Sequence, residues 1–308
     1  MSKRIRMIDR LQVNYYLAVG FFYGGIFMGS SRLAMLANKS LNISDNIDEK
    51  KNYSKEEIIE RDLQRDLQND RFKIYYQSKH DVKSGKIVGA EALVRWDHKE
   101  LGMLSPMEFI PIFEKNGSIK DLDMIVREKV FSDIERWRNN GYRQIPISIN
   151  LSRIDFKDFE LVNSIFDGVK KYNINPSQIC FEITETARID SREAICRAVY
   201  RLRDAGFKVA LDDFGSGYSS LSILNEIEFD ILKIDKELLK NIEGERERFL
   251  IKMCISLGKN YEMITEAEGV ETKEQYELLK DIGCNNAQGF YFASALPVET
   301  FEMRLKDE

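Results

Sequence analysis

The stretch Lys208-Val-Ala-Leu-Asp-Asp-Phe-Gly-Ser-Gly-Tyr-Ser-Ser-Leu221 indicates the fold class of this chain. Its apolar run, residues 209–211, is short enough for a buried strand, and two adjacent carboxylates, Asp212 and Asp213, stand where the run ends. A single Asp-Asp pair can also end a strand in a solvated turn. The meaning of this pair therefore depends on the rest of the chain.

The residues after the acidic pair predict a turn followed by a helix. Gly215 and Gly217 permit positive φ, and Ser219 can cap a short helix that begins at Ser220. Strand, acidic pair, glycine turn and helix form a unit that is typical of α/β proteins.

Composition restricts the classes of function. The chain has 308 residues, of which 43% are apolar and 31% are charged, which is typical of a globular protein with an ample core. Its 46 basic and 51 acidic residues leave a net charge of -5. That balance argues against a partner that is a nucleic-acid polymer.

Cysteine and histidine usage leaves the carboxylates as the chemically important side chains. The four cysteines have no CxxC spacing, which argues against a zinc site or a disulfide framework: Cys180, Cys196, Cys254 and Cys284. The two histidines, His80 and His98, are too few for a histidine-rich metal site.

The amino-terminal segment is open to two interpretations. A basic start and the mostly apolar residues 13–29 could form a short membrane anchor or a signal peptide. Alternatively, residues 15–23 form a buried strand and residues 31–40 an amphipathic helix, which is the interpretation we favour because glycines and Asn14 interrupt the apolar run. Residues 42–54 are polar and without apolar periodicity, as in a linker.

The main domain is predicted to begin after this linker, which divides the chain into an appendage of residues 1–53 and a domain of residues 54–308. An amphipathic helix starts at Lys55. Residues 72–77 and 87–96 are strand-like, and the short turn at Ser84 and Gly85 predicts that they pair antiparallel.

Six further strands follow, with helices between most of them, such as a helix of residues 273–282 capped by Thr272. The six strands are residues 145–151, 179–184, 208–213, 231–235, 263–268 and 287–292. Eight strands with intervening helices in about 250 residues predict a (β/α)₈ TIM-type barrel, an α/β fold.

Polar side chains lie near the ends of seven of these strands, and a closed barrel would direct them to one point. They are Glu91, Asn150, Glu182, Asp212 with Asp213, Lys233, Glu268 and Gln288. So many carboxylates need compensating cations, and an oxygen-rich set suits Mg²⁺ or Mn²⁺. Asp212 and Asp213 can bridge two ions, and two ions form a clamp for a phosphodiester. Lys233 can orient a water molecule or stabilise developing charge.

The motifs of the chain resemble those of the EAL-domain phosphodiesterases, which hydrolyse cyclic di-GMP to linear pGpG. The resemblance runs from about Lys55 to the end and rests on Glu91-Ala-Leu-Val-Arg-Trp96, Ile149-Asn-Leu-Ser152, Glu182-Ile-Thr-Glu185, Asp212-Asp-Phe-Gly-Ser-Gly-Tyr-Ser-Ser-Leu221, Leu232-Lys-Ile-Asp235, Ala267-Glu-Gly-Val-Glu-Thr272 and Gln288-Gly-Phe290.

This resemblance implies a role for each matching residue. One metal ion would be bound by Glu91, Asn150, Glu182 and Asp212, and the second by Asp213 and Glu268. Lys233 and Glu268 would be the catalytic residues, with Lys233 assisting the water. Arg95 would bind the substrate phosphate, and the substrate cleft would be lined by Gln77, Gln288 and Glu271. Glu185 and Asp235 would support the loop of residues 213–220, which in such proteins contributes to a homodimer interface. The implied fold is the barrel variant with an antiparallel first strand.

Three residues depart from the family pattern. Ser78 replaces a proline, and Ser216 replaces a threonine but keeps the hydroxyl. Glu266 occupies an ordinarily apolar position, and strand alternation places it on the inward face with Glu268 unless a local bulge turns it outward. Facing inward, Glu266 would hydrogen-bond a neighbour, join the outer shell of a metal ion or perturb the site.

Residues 16–41 resemble more weakly the closing strand and helix of a GGDEF domain, without the GGDEF signature. The sequence thus predicts a cytoplasmic bacterial cyclic di-GMP phosphodiesterase with two Mg²⁺ or Mn²⁺ ions. The alternatives are a catalytically inactive cyclic di-GMP receptor or scaffold, and a purely structural barrel.

Overall fold

A computed structural model describes residues 53–152, 160–184, 192–215 and 221–307. The predicted strand and helix of the amino-terminal segment, Glu185 and residues 216–220 lie outside these ranges. Within them, no helix combines the length and apolar character that crossing a membrane requires.

Helices and strands alternate along most of the described chain. The helices are α1 Lys55–Gln68, α2 Pro106–Asn116, α3 Ile119–Asn139, α4 Glu160–Lys171, α5 Arg192–Asp204, α6 Ser222–Glu226, α7 Glu245–Asn260, α8 Lys273–Ile282 and α9 Val298–Asp307. The strands are β1 Phe72–Asp81, β2 Ile87–His98, β3 Gly102–Leu104, β4 Ile147–Asn150, β5 Ile179–Thr184, β6 Lys208–Phe214, β7 Ile231–Ile234, β8 Ile264–Ala267, β9 Asn286–Ala287 and β10 Leu296–Pro297.

Eight of these strands close into a barrel. The order around it is β1, β9, β8, β7, β6, β5, β4, β2, and the pairing of β1 with β2 completes the ring. Strand β1 runs antiparallel to both of its barrel neighbours, whereas the other six pairings are parallel. The predicted (β/α)₈ barrel with an antiparallel first strand is confirmed.

Local capping signals set where several helices begin. The Ser54 hydroxyl accepts the Glu57 backbone N–H at 3.2 Å, and the Glu57 carboxylate accepts the Ser54 backbone N–H at 2.8 Å. At the start of α8, the Thr272 hydroxyl accepts the Gln275 backbone N–H at 3.3 Å, as the sequence predicts.

Two local predictions differ from the structure, and two short strands were not predicted. The last barrel strand is only Asn286–Ala287 instead of residues 287–292, because Gly289 and its neighbours turn back to pair with Val270. The short helix near the acidic pair begins at Ser222, preceded by Leu221, rather than at Ser220. Strands β3 and β10, which flank the barrel, are too short to produce an alternating pattern.

An aromatic cluster packs the antiparallel hairpin against α2. The ring centroids of Phe72 and Trp96 lie 4.9 Å apart, and Phe109 and Phe113 contact both rings edge-on at 5.6 to 5.9 Å. All four side chains are buried, so together they hold the reversed strand in the barrel.

Gly289 is a position where glycine is required, and we expect Gly289→Ala to destabilise the protein by about 3 kcal/mol. A Cβ atom there would overlap the backbone N, C and O atoms of Val270, which cannot move without breaking the hydrogen bond from Val270 N–H to the Gln288 carbonyl at 3.0 Å. Urea unfolding monitored by circular dichroism measures the effect.

The matched control for this substitution is Gly85→Ala. Gly85 also has positive φ, 73°, but a Cβ atom there would meet no atom within 4 Å. The expected loss of stability is therefore only the cost of holding alanine in a left-handed backbone conformation, about 1 kcal/mol. Equal losses of stability in the two variants would contradict the steric argument at Gly289.

Candidate active site

Glu91 lies at the centre of a network of amide donors. It is opposite Gln77 in the β1–β2 pairing and is buried. The Asn150 side-chain N–H group donates to its Oε1 at 3.0 Å, and the Gln288 amide donates to its Oε2 at 2.6 Å. The Gln288 side-chain amide also donates to the side-chain oxygen Oε1 of Gln77 at 3.0 Å. Residues of β1, β2 and β4 and the residue after β9 are thus joined around one carboxylate, whose pKa is raised chiefly by burial.

Glu182 is the most enclosed carboxylate of the site, with a fully buried side chain on β5. The Lys79 ammonium lies 2.7 Å from its Oε1, and the Lys233 ammonium contacts its Oε2. Burial alone would raise the pKa of Glu182, but the two ammonium groups lower it to about 2. Glu182 is therefore ionised at neutral pH.

Lys233 lies among three carboxylates. Besides Glu182, its ammonium lies 2.9 Å from Asp212 Oδ1 and 2.5 Å from Glu268 Oε1. Burial opposes its charge, but these carboxylates prevail and raise the pKa of Lys233 well above its ordinary value. Lys233 is thus a fixed cation and hydrogen-bond donor, and it does not act as a free base.

A bulge brings Asp212 and Asp213 to the same side of β6. The pairing with β7 gains one residue between Leu211 and Phe214, and Asp213 has φ of 59°. Neighbouring strand residues normally face opposite sides, and an inserted residue of this kind re-aims a side chain. Oxygen atoms of Asp212, Asp213 and Glu268 consequently lie within 4.8 Å of one another.

The structure perturbs the titration of Asp213. Burial, and then the neighbouring charge of Asp212, raise its pKa from 3.8 to about 6. Asp235 adds to the effect through a hydrogen bond with Asp213, and the Asp235 side chain also accepts the Glu237 backbone N–H at 2.7 Å. The role of Asp235 in supporting the loop of residues 213–220 stays a prediction.

We expect Asp213→Asn to stabilise the metal-free protein by about 1 kcal/mol at pH 8. The folded protein holds the Asp213 proton more tightly than the unfolded chain, so ionisation opposes folding above pH 6. This penalty disappears as the pH falls toward 4. A shift of this size corresponds to about 3 kcal/mol, reduced here because Asp213 is only partly buried and solvent screens its charge. Thermal melts in EDTA at pH 4 and pH 8 measure the difference, and an equal effect at both pH values would contradict it.

Two groups of acidic side chains meet in the barrel mouth and share one member. Oxygen atoms of Glu91, Glu182 and Glu268 lie within 4.8 Å of one another, as do those of Asp212, Asp213 and Glu268. Together with the amide oxygen of Asn150, the donor set consists of oxygen atoms, which suits Mg²⁺ or Mn²⁺. The residues present therefore fit divalent cations.

Two further predicted site residues, Arg95 and Glu271, belong to neither acidic group. Arg95 shares the face of β2 that carries Glu91, and its guanidinium donates to the Val94 carbonyl at 2.8 Å and lies over the Tyr75 ring. Glu271 is exposed before α8, and its backbone N–H donates to Gln275. Its substrate-binding role stays a prediction.

Sequence reasoning missed Lys79 as a member of the site. Its side chain is 6% exposed and contacts Glu182, Ser148 Oγ at 2.7 Å and Glu266 Oε1 at 2.6 Å. Glu266 therefore points inward. Its partner Lys79 lies on the first strand of the barrel, far from Glu266 in the sequence. The sequence did contain an indication that Lys79 belongs to the site, because it lies two residues after Gln77 and therefore on the same strand face.

Comparison with known proteins places this geometry in a family. The model of the EAL domain family matches residues 60–295. The chain is 36% identical over 228 residues to the probable cyclic di-GMP phosphodiesterase PdeB of Escherichia coli, covering 74% of this chain and 43% of the relative. It is 31% identical over 227 residues to the bifunctional diguanylate cyclase/cyclic di-GMP phosphodiesterase MucR of Pseudomonas aeruginosa, covering 73% of this chain and 33% of the relative. The chain thus spans less than half of these relatives.

Solved structures share the same fold. The structure of the PaMucR phosphodiesterase in complex with c-di-GMP superposes with a TM-score of 0.75 at 30% identity, covering 79% of this chain and 99% of that one. An EAL domain protein from Listeria monocytogenes superposes with a TM-score of 0.70 at 27% identity, covering 80% of this chain and 96% of that one.

Proposed function

Because the chain belongs to the EAL domain family, we propose that it is a metal-dependent phosphodiesterase that hydrolyses cyclic di-GMP to linear 5'-pGpG. The observation that supports this activity best is the pair of oxygen clusters that share Glu268 around the Lys233 ammonium. A receptor needs to bind the nucleotide but has no need for six potential metal ligands in one cavity mouth.

The proposed cofactors are two Mg²⁺ or Mn²⁺ ions. Glu91, Asn150, Glu182 and Asp212 would hold one, and Asp213 and Glu268 the other, with Glu268 near enough to both groups to serve either. When bound, such ions polarise the phosphodiester and lower the pKa of a coordinated water to provide the nucleophile.

Lys233 acts on charge and orientation in this proposal. Its ammonium donates a hydrogen bond to Glu182 and lies between the carboxylates of Asp212 and Glu268, so its position is fixed. A donor fixed in this way can orient the attacking water and stabilise charge that develops on the phosphate oxygens without reorganising during the reaction. Because Lys233 stays protonated, the proton of the water passes to a carboxylate, for which we propose Glu268.

The substrate phosphate would be bound by Arg95, whose half-buried guanidinium lies on the strand face of Glu91. Burial lowers the pKa of this group without removing its charge, which strengthens its attraction to an anion. Gln77 would contribute to the nucleotide cleft. Gln288 contacts Glu91 directly, so we propose that it orients this ligand in addition to lining the cleft.

We also propose a homodimer through the face beside the acidic pair. Leu250 and Met253 of α7 are 44% and 51% exposed and line a pocket of about 570 Å³ with Gly215 and Leu221. Exposed apolar patches of this kind mark protein interfaces. Sedimentation equilibrium tests the proposal, and a monomer at micromolar concentration would oppose it.

Hydrolysis of cyclic di-GMP by the purified full chain tests the function. We expect 5'-pGpG to appear with Mg²⁺ or Mn²⁺, to be absent with EDTA, and to return when the metal is restored. Chromatography identifies the product, and calorimetry measures nucleotide binding in parallel. Tight binding of cyclic di-GMP without product would sink the enzyme proposal and leave a receptor.

A further inference from the structure

A second buried ammonium lies against the proposed metal ligand Glu182. Lys79 Nζ is 2.7 Å from Glu182 Oε1 and 2.6 Å from Glu266 Oε1, so it bridges the two carboxylates. The Ser148 hydroxyl is a third contact at 2.7 Å. The side chains of Lys79, Glu182 and Glu266 are 6%, 0% and 1% exposed. Water therefore screens these charges very little.

The position of Glu266 keeps it close to the site without making it a ligand. It pairs with Lys233 across β7 and β8 and lies two residues before Glu268 on the same strand face. It belongs to neither of the two acidic groups that could hold an ion. Its one recorded ionic contact within the described residues is with Lys79.

Lys79 and a divalent cation would compete for the carboxylate of Glu182. Lys79 contacts Oε1 and Lys233 contacts Oε2, so both oxygens of this carboxylate already face ammonium groups. Each positive charge beside Glu182 weakens its hold on a cation, because the cation must share the carboxylate and is repelled by the ammonium. Glu266 supplies Lys79 with a second anionic partner at an equally short distance.

We propose that Glu266 is a positioning residue for the metal site, which engages Lys79 and thereby limits the competition of this ammonium for Glu182. The inference rests on the proposed metal-dependent function, since it assigns Glu182 to a cation. It explains why a charged residue at the ordinarily apolar position 266 is accompanied by a lysine at position 79. Lys79 alone would weaken the site, and Glu266 offsets it.

The charges that each substitution removes determine whether the affinity for a divalent cation rises or falls. Glu266→Gln leaves Lys79 with Glu182 as its sole anionic partner, so the affinity for a divalent cation falls by about 10-fold. Lys79→Met combined with Glu266→Gln removes both charges of the pair. Because Lys79 contacts Glu182 directly and Glu266 does not, the affinity of this double variant rises several-fold above that of the wild type.

Mn²⁺ alone, added to the full chain at pH 7.5 and followed through the electron paramagnetic resonance signal of the free ion, tests this order. The expected sequence of dissociation constants is double variant below wild type below Glu266→Gln. Glu277→Gln, an exposed substitution on α8, is the control and leaves the constant unchanged. Dissociation constants within twofold of one another in all variants would overturn the inference and leave a purely structural ion pair.

The double variant guards against a folding defect in Glu266→Gln, because it leaves no uncompensated buried charge. If Glu266→Gln fails to fold, the double variant decides alone: tighter Mn²⁺ binding supports the inference, and equal or weaker binding overturns it. Mn²⁺ binding with the expected order but without pGpG formation would sink the hydrolase proposal only. A wild type that binds no Mn²⁺ would overturn both.

Discussion

Replacement of Glu91 by alanine is expected to lower the rate of cyclic di-GMP hydrolysis by about 10³-fold. Glu91 is the carboxylate that receives hydrogen bonds from both Asn150 and Gln288, so its loss removes one proposed ligand and the acceptor that orients another. Loss of a metal ligand removes several kcal/mol of transition-state stabilisation. Initial rates of pGpG formation at saturating Mn²⁺ measure the effect.

The stability of Glu91→Ala separates a catalytic defect from a folding defect. Burial raises the pKa of Glu91, so its ionised form is poorly accommodated in the metal-free protein. Removing the carboxylate relieves that penalty but leaves two amide donors without their acceptor, and we expect the melting temperature in EDTA to stay near that of the wild type. A variant that keeps more than a tenth of the activity would contradict the role of Glu91, and Glu277→Ala, exposed on α8, serves as the control.

Lys233→Met is expected to impair both activity and the metal-free fold. The ammonium compensates the negative charges of Glu182, Asp212 and Glu268. Its removal takes away a positive charge that all three carboxylates contact. Breaking a buried ion pair in this way destabilises a protein by about 3 to 5 kcal/mol. Loss of the fixed donor also lowers the hydrolysis rate by about 10³-fold.

The response of Lys233→Met to metal distinguishes this explanation from simple misfolding. Mn²⁺ supplies positive charge to the same carboxylates, so it should recover much of the lost melting temperature while activity stays low. The control, Lys240→Met, breaks an exposed pair with Glu237 and should leave the stability almost unchanged. An unchanged rate in Lys233→Met, or equal melting temperatures of the two variants in EDTA, would contradict the assigned role.

The barrel was predictable because its strands carry strong local signals. The parallel strands β5 and β6 are apolar runs buried on both faces, and the Ser84-Gly85 turn forces β1 and β2 into a hairpin. The short last strand was less predictable. Its end depends on backbone hydrogen bonds between Gln288, Tyr291 and Val270, which are formed by loops that carry no periodicity.

The site residues were predictable as a set, but their individual contacts were not. Strand-end positions and the family resemblance identified the carboxylates and Lys233. Neither indicated that Gln288 donates to Glu91, nor that Glu268 belongs to both acidic groups. These contacts depend on side-chain directions across strands that are far apart in the chain.

The sequence by itself determined the succession of strands along the chain, the reversed first strand and the identity of the acidic residues, since hydrophobic pattern, turn chemistry and residue type are local properties. The tertiary structure alone decided two features. The bulge with positive φ at Asp213 turns adjacent aspartates to one side, and the closed barrel brings Lys79 of the first strand to Glu266 of a late one. The first depends on the register of the β6–β7 pairing, and the second on the barrel, which places strands from opposite ends of the domain side by side.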